Sequence, residues 1–292
     1  MLKFVDIVLG QSGSPRCTRC HSVGAETLRD AQGILENMRQ AVNAGAGSSG
    51  VNFSFTGAEP FHHPALFELL DAAAAAGASR MRLVSDAHAL VDPETAERAL
   101  RSGVRHLEFA LLGSTAELHD SLTGRRGSFE DTLAGAESFI NVALKGTTRV
   151  HVTARVPVCR HNLHDTPEIV TLAAKTGASA VLLTIDDVDL DLRQAGPWLE
   201  AACDTGVVYR TWVEVEGVPY GCASGWELHL ASMYHKVDGE KAEACRECPL
   251  ASVCSGAMSG ASGRVLATFA PPADAARIAE RIFHCFEPPK AG

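Results

Sequence analysis

Apolar and polar positions alternate along this chain in two periods, and the switches between them repeat. An apolar run over residues 4–9 reads as a buried strand. Leu28, Ala31, Leu35, Met38 and Val42 then form a helical stripe, and the glycine-rich stretch 45–50 ends it. Residues 51–56 alternate as a strand. Pro64 opens a helix over 65–76, proline being favoured in a first turn. Residues 81–84 are strand again. Asp92-Pro93-Glu94 starts a helix that runs to Arg101 and stops at Gly103. A strand over 106–112, a helix over 128–143, a strand over 149–156, a helix over 166–175 and a strand over 180–185 follow. A short helix at 197–202 and an extended run at 207–215 complete the pattern.

Strands alternating with helices at this pitch predict βαβ units and a parallel sheet. Six units and a seventh strand fit either a doubly wound sheet or an incomplete barrel. Both gather ligand-binding residues at the carboxyl ends of the strands. The loops 10–20, 56–60, 85–87, 112–114 and 156–162 lie there.

Composition narrows the class. With 292 residues, 46% hydrophobic and 21% charged, the chain can bury a sizeable core. A net charge of −9 argues against nucleic acid as a partner. No run of about 18 apolar residues predicts a membrane span. Residues 1–6 lack a signal-peptide layout because Asp6 interrupts the apolar run, so the chain is expected to be cytoplasmic. Nine cysteines are present, several in close-spaced clusters, which in a cytosolic chain predicts metal binding rather than disulfides.

The chemistry-bearing residues fall at the strand ends. Cys17-Thr18-Arg19-Cys20-His21 follows the first strand, and two cysteines at this spacing suggest a metal or redox site. Thr56-Gly57-Ala58-Glu59-Pro60 closes the second strand. There a carboxylate can meet a cation, and small residues let a ligand approach the backbone; a plain turn with a capping glutamate is the alternative. Ser85 and Asp86 end the third strand, and Arg155 and Asn162 lie on and after the fifth. An ordinary capped turn and a surface arginine pair, Arg155 and Arg160, explain these equally well. Near the C-terminus, Cys222 and the triple Cys245, Cys248 and Cys254 make four thiols suited to a closed site. Cys159 and Cys203 read as buried apolar residues. Cys285 is a substitute ligand, or part of a packed helix edge.

These segments, in this order, resemble the radical S-adenosylmethionine (SAM) family. Cys17 and Cys20 stand in the second and third places of its C-x3-C-x2-C cluster loop, and Gly13 stands in the first. Gly57, Glu59 and Pro60 match its Gly-Gly-Glu-Pro segment, with Ala58 for one glycine. The segment from His119-Asp120 through Thr123-Gly124 to Gly127-Ser128-Phe129 resembles another family stretch. Within it Ser128 is expected to cap a helix, and Arg125 and Arg126 are either solvated or aimed at a carboxylate. The C-terminal cysteines resemble the shortened auxiliary-cluster ("twitch") domain of that family.

The resemblance implies an incomplete (βα)6 barrel over residues 1–216 and a small cysteine-rich domain over 217–292. It implies a 4Fe–4S cluster on Cys17 and Cys20, with His21 as a substitute third ligand, and SAM held by Gly57, Ala58, Glu59, Pro60, Ser85, Asp86, Arg155 and Asn162. It also implies an auxiliary 4Fe–4S cluster on Cys222, Cys245, Cys248 and Cys254, for which zinc is the alternative. The implied reaction is reductive SAM cleavage and hydrogen abstraction from a substrate, with a ribosomal peptide as lead class. Gly13, Ala58 and Asp86, which depart from the family pattern, favour the alternative of a binding or scaffold protein that keeps only the C-terminal metal site.

Overall fold

A computed structural model describes residues 4–11, 26–44, 50–185, 187, 190–223, 225–231, 243–252, 254 and 274–279. Gly13, Cys17, Cys20, His21 and Cys285 lie outside the described residues.

The strands are β1 (Phe4–Val8), β2 (Gly10–Gln11), β3 (Thr27–Leu28), β4 (Asn52–Thr56), β5 (Arg80–Ser85), β6 (Val104–Ala110), β7 (His151–Val158), β8 (Ala180–Ile185) and β9 (Trp212–Glu216). The helices are α1 (Ala31–Ala44), α2 (Leu66–Ala75), α3 (Pro93–Arg101), α4 (Ala116–Thr123), α5 (Ser128–Lys145), α6 (Thr166–Thr176) and α7 (Leu192–Tyr209). Seven strands form one sheet in the order β1-β4-β5-β6-β7-β8-β9, parallel from β1 through β7 in the registered pairs. This is the α/β architecture that the βα rhythm predicts. No helix among the described residues is long and apolar enough to cross a membrane.

The chain divides into two compact units, Met1–Val156 with Leu172–Val181, and Pro157–Thr171 with Leu182–Gly292. In the first unit, one sheet face packs under helices. Phe53, Phe55, Leu83, Leu107, Phe109 and Ala154 are fully buried there. Burying side chains of the larger kind contributes roughly 1.5–3 kcal/mol each.

The opposite face is polar, and pairing register puts its charges in line. Asp6 lies opposite Ser54, and Ser54 opposite Arg82. Arg82 Nε donates to Ser54 Oγ at 2.9 Å, and Arg82 Nη1 meets Glu108 Oε2 at 3.2 Å. Arg155 Nη1 donates to Glu108 Oε1 at 3.0 Å, and Asp6 reaches Arg82 more loosely at 3.7 Å. Glu108 is only 3% exposed, so a buried carboxylate is held between two guanidinium groups. Beside it, burial and the neighbouring Arg82 charge push the His106 imidazole down to about 4.

Local signals explain the element ends. Asp92 caps α3 by accepting from the Glu94 and Thr95 N–H groups, and Pro93 supplies the first helical residue. The predicted helix at 28–42 begins later, at Ala31, because Thr27 and Leu28 pair antiparallel with Gln11 and Gly10. The short helix expected at 197–202 is an 18-residue helix containing Pro197. Leu192, Ala195, Leu199, Ala202, Cys203 and Gly206 bury one stripe of it, and that packing outweighs the proline. The extended run expected at 207–215 is therefore helix to Tyr209 and strand only from Trp212. The sequence pattern also passes over α4, whose residues stand out as a motif before they stand out as a helix.

Candidate functional site

The segment carrying Cys17 and Cys20 leaves the described chain at Gln11 and re-enters it at Glu26. Its two ends are clipped together. β2 pairs with β3, the Arg29 N–H donates to Leu9 O at 2.8 Å, and Arg29 Nη1 donates to Val8 O at 3.0 Å. The base of the cysteine loop therefore sits at the carboxyl end of β1.

The turn after β4 packs directly on that base. Gly57 has φ 96°, and a Cβ there would lie 2.3 Å from Gly10 O. Only glycine satisfies both the left-handed backbone and the close approach. Glu26 adds a second link, because the Glu59 N–H donates to Glu26 Oε1 at 2.9 Å and His62 Nδ1 meets Glu26 Oε2 at 2.8 Å. His63 Nδ1 accepts from the Ala65 N–H, so its Nε2 carries the proton and donates to Arg29 O at 3.0 Å. Glu26, His62 and His63 were not among the candidate residues. Their partners lie more than 30 positions away in sequence, so no local pattern could reveal them.

The Glu59 carboxylate ties this turn to the end of β5. Oε1 accepts from Ser85 Oγ at 2.7 Å and from the Phe61 N–H at 3.3 Å, and Oε2 accepts from the Asp86 N–H at 2.8 Å. Burial, with the Asp86 charge adding to it, pushes the Glu59 carboxyl from 4.5 up to about 8 against these donors. Glu59, Ser85 and Asp86, all read as site residues, thus converge. Ala58 and Pro60 are buried in the same turn.

Asp86 has its own support. His88 Nδ1 lies 3.0 Å from Asp86 Oδ2, and although burial opposes it, His88 holds the Asp86 carboxyl below its ordinary value. Behind His88, Ser128 Oγ is 3.2 Å from His88 Nε2 and 3.3 Å from His119 Nε2. The Leu112 N–H donates to His119 Nδ1, which leaves the proton on Nε2, and burial pushes this imidazole down to about 4. Thr132 Oγ1 donates to the Asp86 carbonyl at 3.0 Å. The segment 119–129 is therefore the back wall of the Asp86 turn. Ser128 is the first residue of α5 rather than its cap. Gly127 stands at the cap, and the Asp120 carboxylate accepts from the Gly127 and Phe129 N–H groups. Arg125 pairs with Asp131 at 2.7 Å and also contacts His88.

The remaining candidates are engaged by other partners. Arg155 is engaged with Glu108 on the polar face of the sheet. Asn162 is fully buried in the second unit and closes its own loop, accepting from the Cys159 N–H at 2.7 Å and donating to Pro157 O at 3.0 Å. Arg160 faces Asp187.

Cys222 sits in a turn at Tyr220–Cys222, and Cys245 and Cys248 share another, the Cys248 N–H donating to Cys245 O at 3.2 Å. Burial pushes the Cys222 thiol up to about 11, with the charges of Asp191 and Cys254 adding and that of Arg193 opposing. Four thiols suit iron–sulfur or zinc by donor chemistry. Among the described residues, though, no group of three or more His, Cys, Asp or Glu side chains gathers to hold a metal. Cys159 and Cys203 are buried as expected, and burial pushes the Cys203 thiol up to about 12.

Comparison with known proteins connects these residues to a family pattern. The pattern described as the Radical SAM superfamily matches residues 14–173, more than half of the chain. The AdoMet-dependent heme synthase of Methanosarcina barkeri is 27% identical over 165 residues, 56% of this chain and 45% of that protein. The enzyme of the same name from Nitratidesulfovibrio vulgaris is 30% identical over 127 residues, 43% of this chain and 32% of that protein. The chain thus spans less than half the length of these curated relatives. Among solved structures, Streptococcus suis SuiB bound to precursor peptide SuiA superposes with a TM-score of 0.55 at 16% identity, over 71% of this chain and 47% of that one. Native anSMEcpe with bound AdoMet and Cp18Cys peptide gives 0.57 at 14% identity, over 72% and 62%.

Proposed function

The chain belongs to the radical SAM superfamily, and on that premise we propose that it binds SAM at the ends of β4 and β5 and cleaves it reductively. One observation carries the proposal. Glu59 joins the Gly57–Pro60 turn to Ser85 and Asp86, and the same turn packs on the base of the cysteine loop. Cys17 and Cys20 would hold part of a 4Fe–4S cluster, which would supply the electron for splitting SAM into methionine and the 5′-deoxyadenosyl radical that abstracts hydrogen from the substrate.

The protein's part is positioning. A carboxylate offers about four acceptor sites, and Glu59 already accepts from Ser85, Phe61 and Asp86. Glu59 is therefore first a positioning residue that locks two turns together. Backbone groups at Gly57 and Ala58, beside small side chains, would hold the ligand's ammonium, and Asp86 would serve its ribose. The four C-terminal thiols are proposed as the auxiliary site of a domain over 217–292, but no step runs through them.

For substrate, a ribosomal peptide is supported by the fold shared with SuiB and anSMEcpe, whose structures hold peptides. The name of the curated relatives supports a competitor, a molecule of heme synthesis. Gly13, Ala58 and Asp86 support a second reading, a binding or scaffold protein that keeps the fold and the C-terminal metal site without SAM cleavage. The test is anaerobic incubation with SAM and a strong reductant after iron and sulfide reconstitution. More 5′-deoxyadenosine than from a Cys17→Ala/Cys20→Ala control supports cleavage. No product, with bound iron that is lost on Cys248→Ala, supports the second reading. Neither product nor such iron overturns both.

A further inference from the structure

The amino-terminal ends of the strands, opposite the Glu59 turn, hold a feature that the SAM chemistry does not use. A cavity of about 830 Å³ opens there within the first unit. Its charged lining is Arg80 at the start of β5, Arg105 on β6, and Arg149 just before β7, with the His151 imidazole beside it. Its apolar wall is the last turns of α5, through Ile140, Ala143 and Leu144.

Three features make this an unusual surface. The chain carries −9 overall, yet this cavity gathers three arginines. Among the described residues, no ion pair joins Arg80, Arg105 or Arg149 to a carboxylate. Arg105 spends one nitrogen on the Leu100 and Val104 carbonyls, which fixes its guanidinium at the wall. The positive field also reaches inward, because the Arg80 charge adds to burial and Arg82 in depressing the His106 imidazole. Guanidinium groups gathered without a paired carboxylate repel one another, and an anion relieves that repulsion. The volume falls within the usual range for small-molecule pockets, roughly 300–1,000 Å³.

We infer that this cavity is a binding site for a small phosphate monoester with an apolar or aromatic body. A dianion matches three arginines better than a carboxylate does, and the guanidinium fork suits phosphate oxygens. The body lies against Ile140 and Leu144, whose exposed carbon it shields from water.

The test is calorimetric titration of the full chain at low salt with phenyl phosphate, benzoate and inorganic phosphate. The site requires phenyl phosphate to bind at least tenfold more tightly than benzoate or inorganic phosphate, with affinity falling as salt rises. Arg80→Gln/Arg149→Gln should weaken phenyl phosphate tenfold or more. Both side chains are exposed, and an unchanged circular dichroism melt shows that the variant is folded. Arg149→Glu alone is the second variant, and it should also weaken phenyl phosphate tenfold or more. No heat with phenyl phosphate, equal binding of benzoate, or unchanged affinity in the folded variants overturns the inference.

Discussion

Replacing Glu59 with glutamine tests the linked turns directly, because the shape is kept and the titration removed. In the folded wild type, burial and Asp86 raise the Glu59 carboxyl from 4.5 to about 8. The unfolded chain releases this proton near pH 4.5, whereas the folded chain keeps it until about 8. The contribution to stability is therefore fully present below pH 4.5 and is lost as pH rises through the folded value. At about 1.4 kcal/mol per pH unit, the loss across that window is at most roughly 5 kcal/mol. The Glu59→Gln chain has no such slope. Its amide must turn an NH2 group toward one of the Ser85, Phe61 or Asp86 donors, a pH-independent cost of roughly 1–3 kcal/mol. The readout is thus the slope and not the offset. Urea unfolding at pH 5, 6, 7 and 8 should show the wild type losing several kcal/mol relative to the variant as pH rises. Parallel profiles, within about 1 kcal/mol across the range, would refute the buried, proton-holding carboxyl. Asp86→Asn should flatten the wild-type slope, because it removes the charge that adds to burial.

Three further outcomes follow from other parts of the structure. Glu108→Gln, which breaks a buried carboxylate held by Arg82 and Arg155, should cost roughly 3 kcal/mol in urea unfolding, and a cost under about 1 would show the pairing to be idle. Asp120→Ala removes the acceptor for the Gly127 and Phe129 N–H groups and should lower stability by about 1 kcal/mol; partial recovery in Asp120→Asn, whose single amide oxygen can accept from one of the two N–H groups, and none in Asp120→Leu, identifies the cap. Cys248→Ala should lower both bound iron and melting temperature in reconstituted protein, since structural metal binding is folding free energy; unchanged iron content and melting temperature would remove the C-terminal site.

The strands and most helices were legible because their signals are local. The Asp92-Pro93 start of α3 and the apolar alternation of β5 need only neighbouring residues. The meeting of Glu59, Ser85 and Asp86 was legible for a different reason: strand ends in a parallel sheet converge, so two loop motifs could be grouped before any distance was known. Features that depend on which strand lies beside which were hidden. The Arg82–Glu108–Arg155 contacts need the register of β5, β6 and β7, and Glu26 needs the fold of a loop across to the β4 turn. α7 was misread because the local cost of Pro197 is visible in sequence, while the buried stripe that offsets it depends on tertiary packing.

The line of charges across the sheet also bears on how the chain finds its pairing. Slipping β5 by one position against β4 and β6 would turn Arg82 into the apolar layer under the helices and bring Met81 and Leu83 out to face Glu108. The misaligned chain would bury a cation without its carboxylate and strand a carboxylate without its cation. Those charges therefore act as a proofreading mark for alignment. A single-residue insertion or deletion inside β5 should consequently be tolerated far less well than any one substitution along it.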